Sequence, residues 1–238
     1  MKRKLMLASL VAALSPLSSQ AASLDISVTN LTGGIYFTPL LIAAHPATTH
    51  LFQAGKAAGA AVQAMAEGGD TAALKTAAEA AGGQTIANPA GGLLGPALAT
   101  QTTLTTTAGN TRLSLAAMML PTNDGFVGLD GWEIPTAPGT YTIDLNAYDA
   151  GTEANTELMN AGAGGAPGVP GIPGDPSGKA GSGGTGVVAA TPNNAEPNVV
   201  HIHRGALGDT NATGGTSDLD SRSHRWLNPV ARVTVVVK

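Results

Sequence analysis

Cysteine is absent from the 238-residue chain, and aromatic residues are few, at 3 Phe, 2 Trp and 3 Tyr. The first absence excludes a disulfide framework, a thiolate metal site and a cysteine nucleophile. Charge is also sparse. With 12 Lys+Arg against 16 Asp+Glu, the formal net charge is -4. A general nucleic-acid binder needs a basic stripe to displace counterions from phosphates, and none is present. No nucleophile elbow, P-loop, dinucleotide-binding fingerprint or zinc-protease motif occurs, so nothing in the spacing nominates a catalytic centre. The chain is expected not to be an enzyme.

Apolar residues make up 43% of the chain, yet 32 Gly and 15 Pro accompany them, which predicts a modest core and long loops. Lys2, Arg3 and Lys4 precede an apolar run from Leu5 to Leu14, and Ser19-Gln20-Ala21 carries small residues where a signal peptidase inspects the chain. This reads as a signal peptide over residues 1–21, leaving a mature domain of 22–238 that is extracellular or periplasmic. The apolar run is much shorter than the roughly 20 residues that span a bilayer, and no later segment qualifies, so no transmembrane segment is expected.

Leu24 to Asn30 alternates apolar and polar residues and predicts a strand. The Ala-rich stretch from Ala54 to Ala81 predicts two short helices broken at Gly68-Gly69, the second started by Asp70. Thr100 to Thr107 and Arg112 to Met119 are β-prone runs flanking a turn, which suggests a hairpin. Further strands are predicted over Thr140 to Asn146, Val199 to Arg204 and Val230 to Val237. Between them, four Gly-X-Pro triplets from Gly165 to Pro176 sit in a Gly/Pro-rich surface insertion spanning about 160–198. So short a run cannot sustain a collagen triple helix, so an extended loop is expected. Short strands, few helices and long loops suggest a mainly β fold, an antiparallel β-sandwich.

Two blocks carry a family resemblance. The first runs from Tyr36-Phe37-Thr38-Pro39-Leu40 through His45 and His50-Leu51-Phe52 to Met65-Ala66-Glu67-Gly68-Gly69-Asp70. The second runs from Met118-Met119-Leu120-Pro121-Thr122-Asn123-Asp124-Gly125 to Asp130, followed by Tyr148-Asp149-Ala150-Gly151-Thr152-Glu153. In content and order they resemble the spondin N-terminal domain of F-spondin, mindin and many secreted bacterial proteins. The resemblance implies a sandwich like those of calcium-dependent lipid-binding domains, serving adhesion or recognition of a cell-surface or matrix ligand. Peripheral membrane contact is open to such a module. It also implies one calcium ion, with Asp124, Asp149 and Glu153 as ligands. The family pattern has Asp where Glu153 stands, and the animal domains use disulfides that this chain lacks.

The same residues can be argued from chemistry alone. Calcium requires several oxygen ligands, and the Asn-Asp-Gly turn at 123–125 and the Ala-Gly-Thr spacer between Asp149 and Glu153 are compact enough to gather carboxylates. A solvated loop acid is the alternative at each position. Asp209-Thr-Asn211-Ala-Thr213-Gly214 with Asp220 partly matches an EF-hand loop, though a polar Asx turn explains it as well. His201 and His203 share one face of a predicted strand, the spacing of a zinc or copper pair, with His224, His45 or His50 as a third ligand only if the fold brings one close. The competing functions are therefore a metal-dependent hydrolase using His201 and His203, or a structural envelope or matrix component. His45 reads as structural, and Trp132 and Trp226 as core or sheet-edge packing.

Overall fold

The computed structural model describes residues 21–160, 165–181, 183–191, 197–211 and 213–238. The expected signal peptide therefore lies, apart from Ala21, outside the described residues. Ten strands and two helices follow one another as β1 (Ser23–Asn30), β2 (Tyr36–Phe37), β3 (Leu41–His45), α1 (Ala60–Gly68), α2 (Ala72–Ala80) and β4 (Gln84–Ala87). The remainder are β5 (Ala99–Thr105), β6 (Arg112–Leu120), β7 (Gly125–Glu133), β8 (Gly139–Asp149), β9 (His201–Ile202) and β10 (Ala231–Val237). The fold is mainly β, and its strand pairings are antiparallel, in the order β4-β3-β6-β7-β8-β10-β1-β5, with β2 on β6 and β9 on β8.

This path folds over on itself because β8 changes partners midway. Its first part, Gly139 to Leu145, pairs with β10, while Asn146 to Asp149 pairs with β7. A long strand shared in this way forms the corner between two layers. The alternation predicted for β1 is present, with Leu24, Ile26 and Val28 buried between exposed-side neighbours. They meet Val233, Val235 and Val237 of β10, and this layer packs on Ile42, Ala44, Leu113, Leu115, Ala117 and Met119 of the other.

The second layer is covered on its outer face as well. Val62, Met65 and Ala66 of α1 and Leu74 and Ala78 of α2 pack on Leu41, Ala43, Ala116 and Phe126. For that reason β3 is buried along its whole length and shows no period-two pattern. The two helices stand where the Ala-rich stretch placed them. Gly69 ends α1 in the left-handed region at φ 71°, and the Asp70 carboxylate accepts the Ala72 N–H at 2.9 Å to start α2.

The expected hairpin between β5 and β6 does not form. Both strands exist, but β5 pairs with β1 and β6 pairs with β3 and β7, so the turn at 108–110 is a crossing between layers. The insertion has no helix or strand among its described residues, yet it is not merely a surface loop. Ile172 is fully buried in the main core and bonds through its N–H to the Leu158 carbonyl at 2.9 Å. No described helix is long and apolar enough to cross a membrane.

Candidate functional site

The β7–β8 pairing brings the three sequence-predicted acids to one corner. Asp124 immediately precedes Gly125, which is registered with Asp149 at the end of β8. The chain then turns at Gly151 and returns Glu153 beside Asp124. Gly151 has φ +70°, and a Cβ there would stand 2.6 Å from the Val199 nitrogen, so only glycine fits this turn. All three acids are buried, at 0%, 2% and 1% exposure for Asp124, Asp149 and Glu153.

Most of the oxygen capacity of this corner is already spent within the protein. Asp124 Oδ2 accepts from the Thr152 and Glu153 N–H groups at 2.8 and 3.0 Å. Asp149 accepts from the Gly151 N–H at 2.8 Å and from Asn155 Nδ2 at 2.6 Å. Glu153 Oε2 accepts from the Gly171 N–H at 2.8 Å and from Asn123 Nδ2. The second oxygens, Asp124 Oδ1 and Glu153 Oε1, are buried and accept nothing. Burial first, and then the neighbouring Asp149 charge, push Asp124 up to about 7. Burial raises Glu153 to about 8 against the opposing hydrogen bonds from Gly171 and Asn123. Buried acids so placed call for a proton or a cation. As they stand, no three acidic or histidine side chains among the described residues form a group that could hold a metal ion.

The histidines are arranged differently from a zinc site. His203 is buried, and its Nδ1 accepts the Gly205 N–H at 3.0 Å, which leaves the ring proton on Nε2. That nitrogen has no lone pair for a metal. His201 donates from Nδ1 to the Val199 carbonyl at 2.8 Å, with Asp149 at 3.9 Å. His224 Nδ1 accepts the Asp220 N–H, and its Nε2 faces Asp175 at 3.5 Å, tying the insertion to the C-terminal segment. His45 bridges the Pro46 carbonyl and Ser114 Oγ in the core, a structural part as expected. His50 pairs with Asp130. In the Asp209–Asp220 loop, Asp209 accepts the N–H groups of Asn211, Thr216 and Ser217, and Asp220 is paired with Arg222. Trp226 packs in the core beside His203, and Trp132 lies against Tyr141.

Sequence reasoning passed over a second set of buried acids. Glu67 accepts the Gly168 N–H at 2.6 Å, Glu157 accepts those of Leu207 and Gly208, and Asp218 accepts those of Met159 and Gly184. Each clasps backbone donors of irregular loops that no strand ladder could satisfy. Single acids in Gly-rich sequence carry no spacing signal that would have revealed them.

The molecule is a mainly antiparallel β domain with two helices packed on one face of its sheet and a buried acidic corner where β7 and β8 meet. The Spondin_N family model matches residues 29–167, more than half of the chain. The chain belongs to the spondin N-terminal domain family, a membership that suggests an extracellular module of the recognition or adhesion type. No curated protein matches it. Both β1, apart from its last two residues, and β10 lie outside the matched span although they are inner strands of the sheet.

Proposed function

We propose that this chain is a secreted, non-enzymatic recognition or adhesion module whose acidic corner binds one calcium ion through Asp124, Asp149 and Glu153. The observation that carries this reading is the pair of buried carboxylate oxygens, Asp124 Oδ1 and Glu153 Oε1, without a hydrogen-bond donor. An unpaired buried carboxylate is costly, and a hard dication with oxygen ligands offsets that cost at both residues. Bound calcium would supply fixed positive charge between β7, the turn after β8 and the Gly171 segment of the insertion. Small rearrangement of the Glu153 side chain about its Gly171 bond would complete the ligand set with backbone oxygens of the turn.

The test is calorimetric calcium titration of the mature, chelator-stripped domain together with its melting temperature. At a hundredfold excess over Kd, calcium should stabilise the fold by about 2.7 kcal/mol, or roughly 5–11 °C for a domain of this size. Asp149→Asn should abolish most of the affinity while the fold persists, since it removes a ligand charge and keeps the side-chain shape. An Asp149→Asn protein that bound calcium as wild type does would overturn the assignment.

A further inference from the structure

The Gly-X-Pro insertion is fastened to the domain at the acidic corner, and its repeat explains how. Proline has no N–H, so in each triplet only the glycine and the residue after it can donate from the backbone. Ala166-Pro167-Gly168-Val169 turns back on itself, with Gly168 at φ +79° and the Val169 N–H on the Ala166 carbonyl at 2.9 Å, as proline followed by a left-handed glycine favours. The Gly168 N–H is left outside that bond, and Glu67 Oε2 accepts it at 2.6 Å. One triplet later, Gly171 gives its N–H to Glu153 Oε2 at 2.8 Å, and Ile172 enters the main core. Two buried acids, one on α1 and one in the turn after β8, hold the glycines of consecutive triplets. Asn160 adds a side-chain bond to the Pro170 carbonyl at 2.8 Å. The outer side of the segment stays exposed at Ala166, Pro167 and Gly168. Held by a few bonds and one core side chain, such a segment can open locally without unfolding the sheet.

We propose that residues 166–172 form a strap coupled to the ion: calcium at the acidic corner tightens the strap, and the docked strap tightens calcium. The proposal rests on the calcium reading above, and Glu153 is the shared part. Its Oε2 carries the strap, and its buried Oε1, which accepts nothing, is the oxygen left for the ion. Without calcium, Glu153 stands beside the like charge of Asp124, and the strap and Asn123 alone hold its carboxylate. With calcium, the carboxylate is fixed from both oxygens. Ordering it for one partner lowers the cost of ordering it for the other. Glu67 spreads the effect along the segment, because its hold on Gly168 makes the two triplets move as one unit. Linkage requires the same factor in both directions.

Amide exchange read at single residues by NMR tests this, on the mature chain with calcium and with chelator. Calcium should slow exchange at both Gly168 and Gly171 by about fivefold or more, the lower end for coupled sites. Gly168 is the deciding amide, because Glu67 is not a ligand in the calcium reading. Slowing confined to Gly171 would overturn the proposal, since the effect would then stop at Glu153. Loosening the strap should in turn weaken calcium. Ile172→Ser removes the core side chain and should raise the calcium Kd about fivefold or more. Asn160→Ala removes only the side-chain bond to Pro170, decides the matter if Ile172→Ser fails to fold, and should raise Kd about twofold or more. Wild-type affinity in a folded strap variant, or unchanged exchange at Gly168 and Gly171 in a chain that binds calcium, would sink the coupling and leave the calcium reading standing. Absence of calcium heat in the wild type would instead remove the calcium reading, and this coupling with it.

Discussion

Asp124 and Glu153 each carry a carboxyl whose folded-state pKa lies above its unfolded value, about 7 against 3.8 and about 8 against 4.5. The metal-free fold therefore takes up protons that the unfolded chain releases. Their contribution to stability is complete below about pH 4 and is lost as pH rises through 7 to 8. Melting temperatures in chelator should fall between pH 5 and pH 8.5, and saturating calcium should flatten that decline by replacing the protons. Asp124→Asn should flatten the metal-free profile as well; an unchanged slope in that variant would assign the pH dependence elsewhere. Asp175 works in the opposite direction. Burial alone would raise it, but hydrogen bonds from Ser177 and Ala180 and the facing His224 outweigh burial and hold the carboxyl below its usual range. Its stabilisation is present above its ordinary pKa and lost in stronger acid. Removing a buried clasp such as Asp218 should expose the loops it holds. Asp218→Ala leaves the Met159 and Gly184 N–H groups unpaired, at about 1–3 kcal/mol each if they stay buried. Faster limited proteolysis near residues 159–184, with the strands still protected, is the expected readout.

At the level of elements, the turn after β8 decides whether the acids meet. Gly151→Ala combines a left-handed φ with overlap against Val199, so the turn must shift or lose its register. A destabilisation of about 1–3 kcal/mol is expected, with calcium binding reduced far more than the melting temperature suggests. Calorimetry on that variant separates the two effects. What the residues revealed varied by element for physical reasons. β1, β8 and β10 have one face in the core and one outside, so their alternation was readable, and the Ala-rich helices were bounded by glycine. β3 is covered on both faces and β7 is interrupted by glycines, so neither shows a period-two signal, and both entered the sequence reading only through the family blocks. The β5–β6 pairing was misread because a turn composition says where a chain bends and not which layer it enters. The three acids were legible as a set through the motif alone. Their common burial follows from the β7–β8 register, which no local pattern encodes.

For the whole molecule, the boundary of the domain is set by the sheet rather than by the matched span. A fragment limited to residues 29–167 lacks β10 and nearly all of β1, and with them Leu24, Ile26, Val233, Val235 and Val237 of the core. Each buried aliphatic side chain contributes about 1.5–3 kcal/mol, and a domain has only about 5–15 kcal/mol in total. That fragment should show no cooperative thermal transition by circular dichroism, whereas residues 22–238 should. The neighbouring strands β1 and β10 also fix how the molecule would respond to tension. They run antiparallel, and the Lys238 N–H bonds to the Ser23 carbonyl at 3.0 Å, so both outer ends of the pair leave the sheet side by side. A load drawn between those two ends would peel the strands apart one bond at a time, as a zipper opens, and would not shear the ladder as a unit. A tether through either end alone would leave the opposite pole, with its acids, turned outward and free of strain.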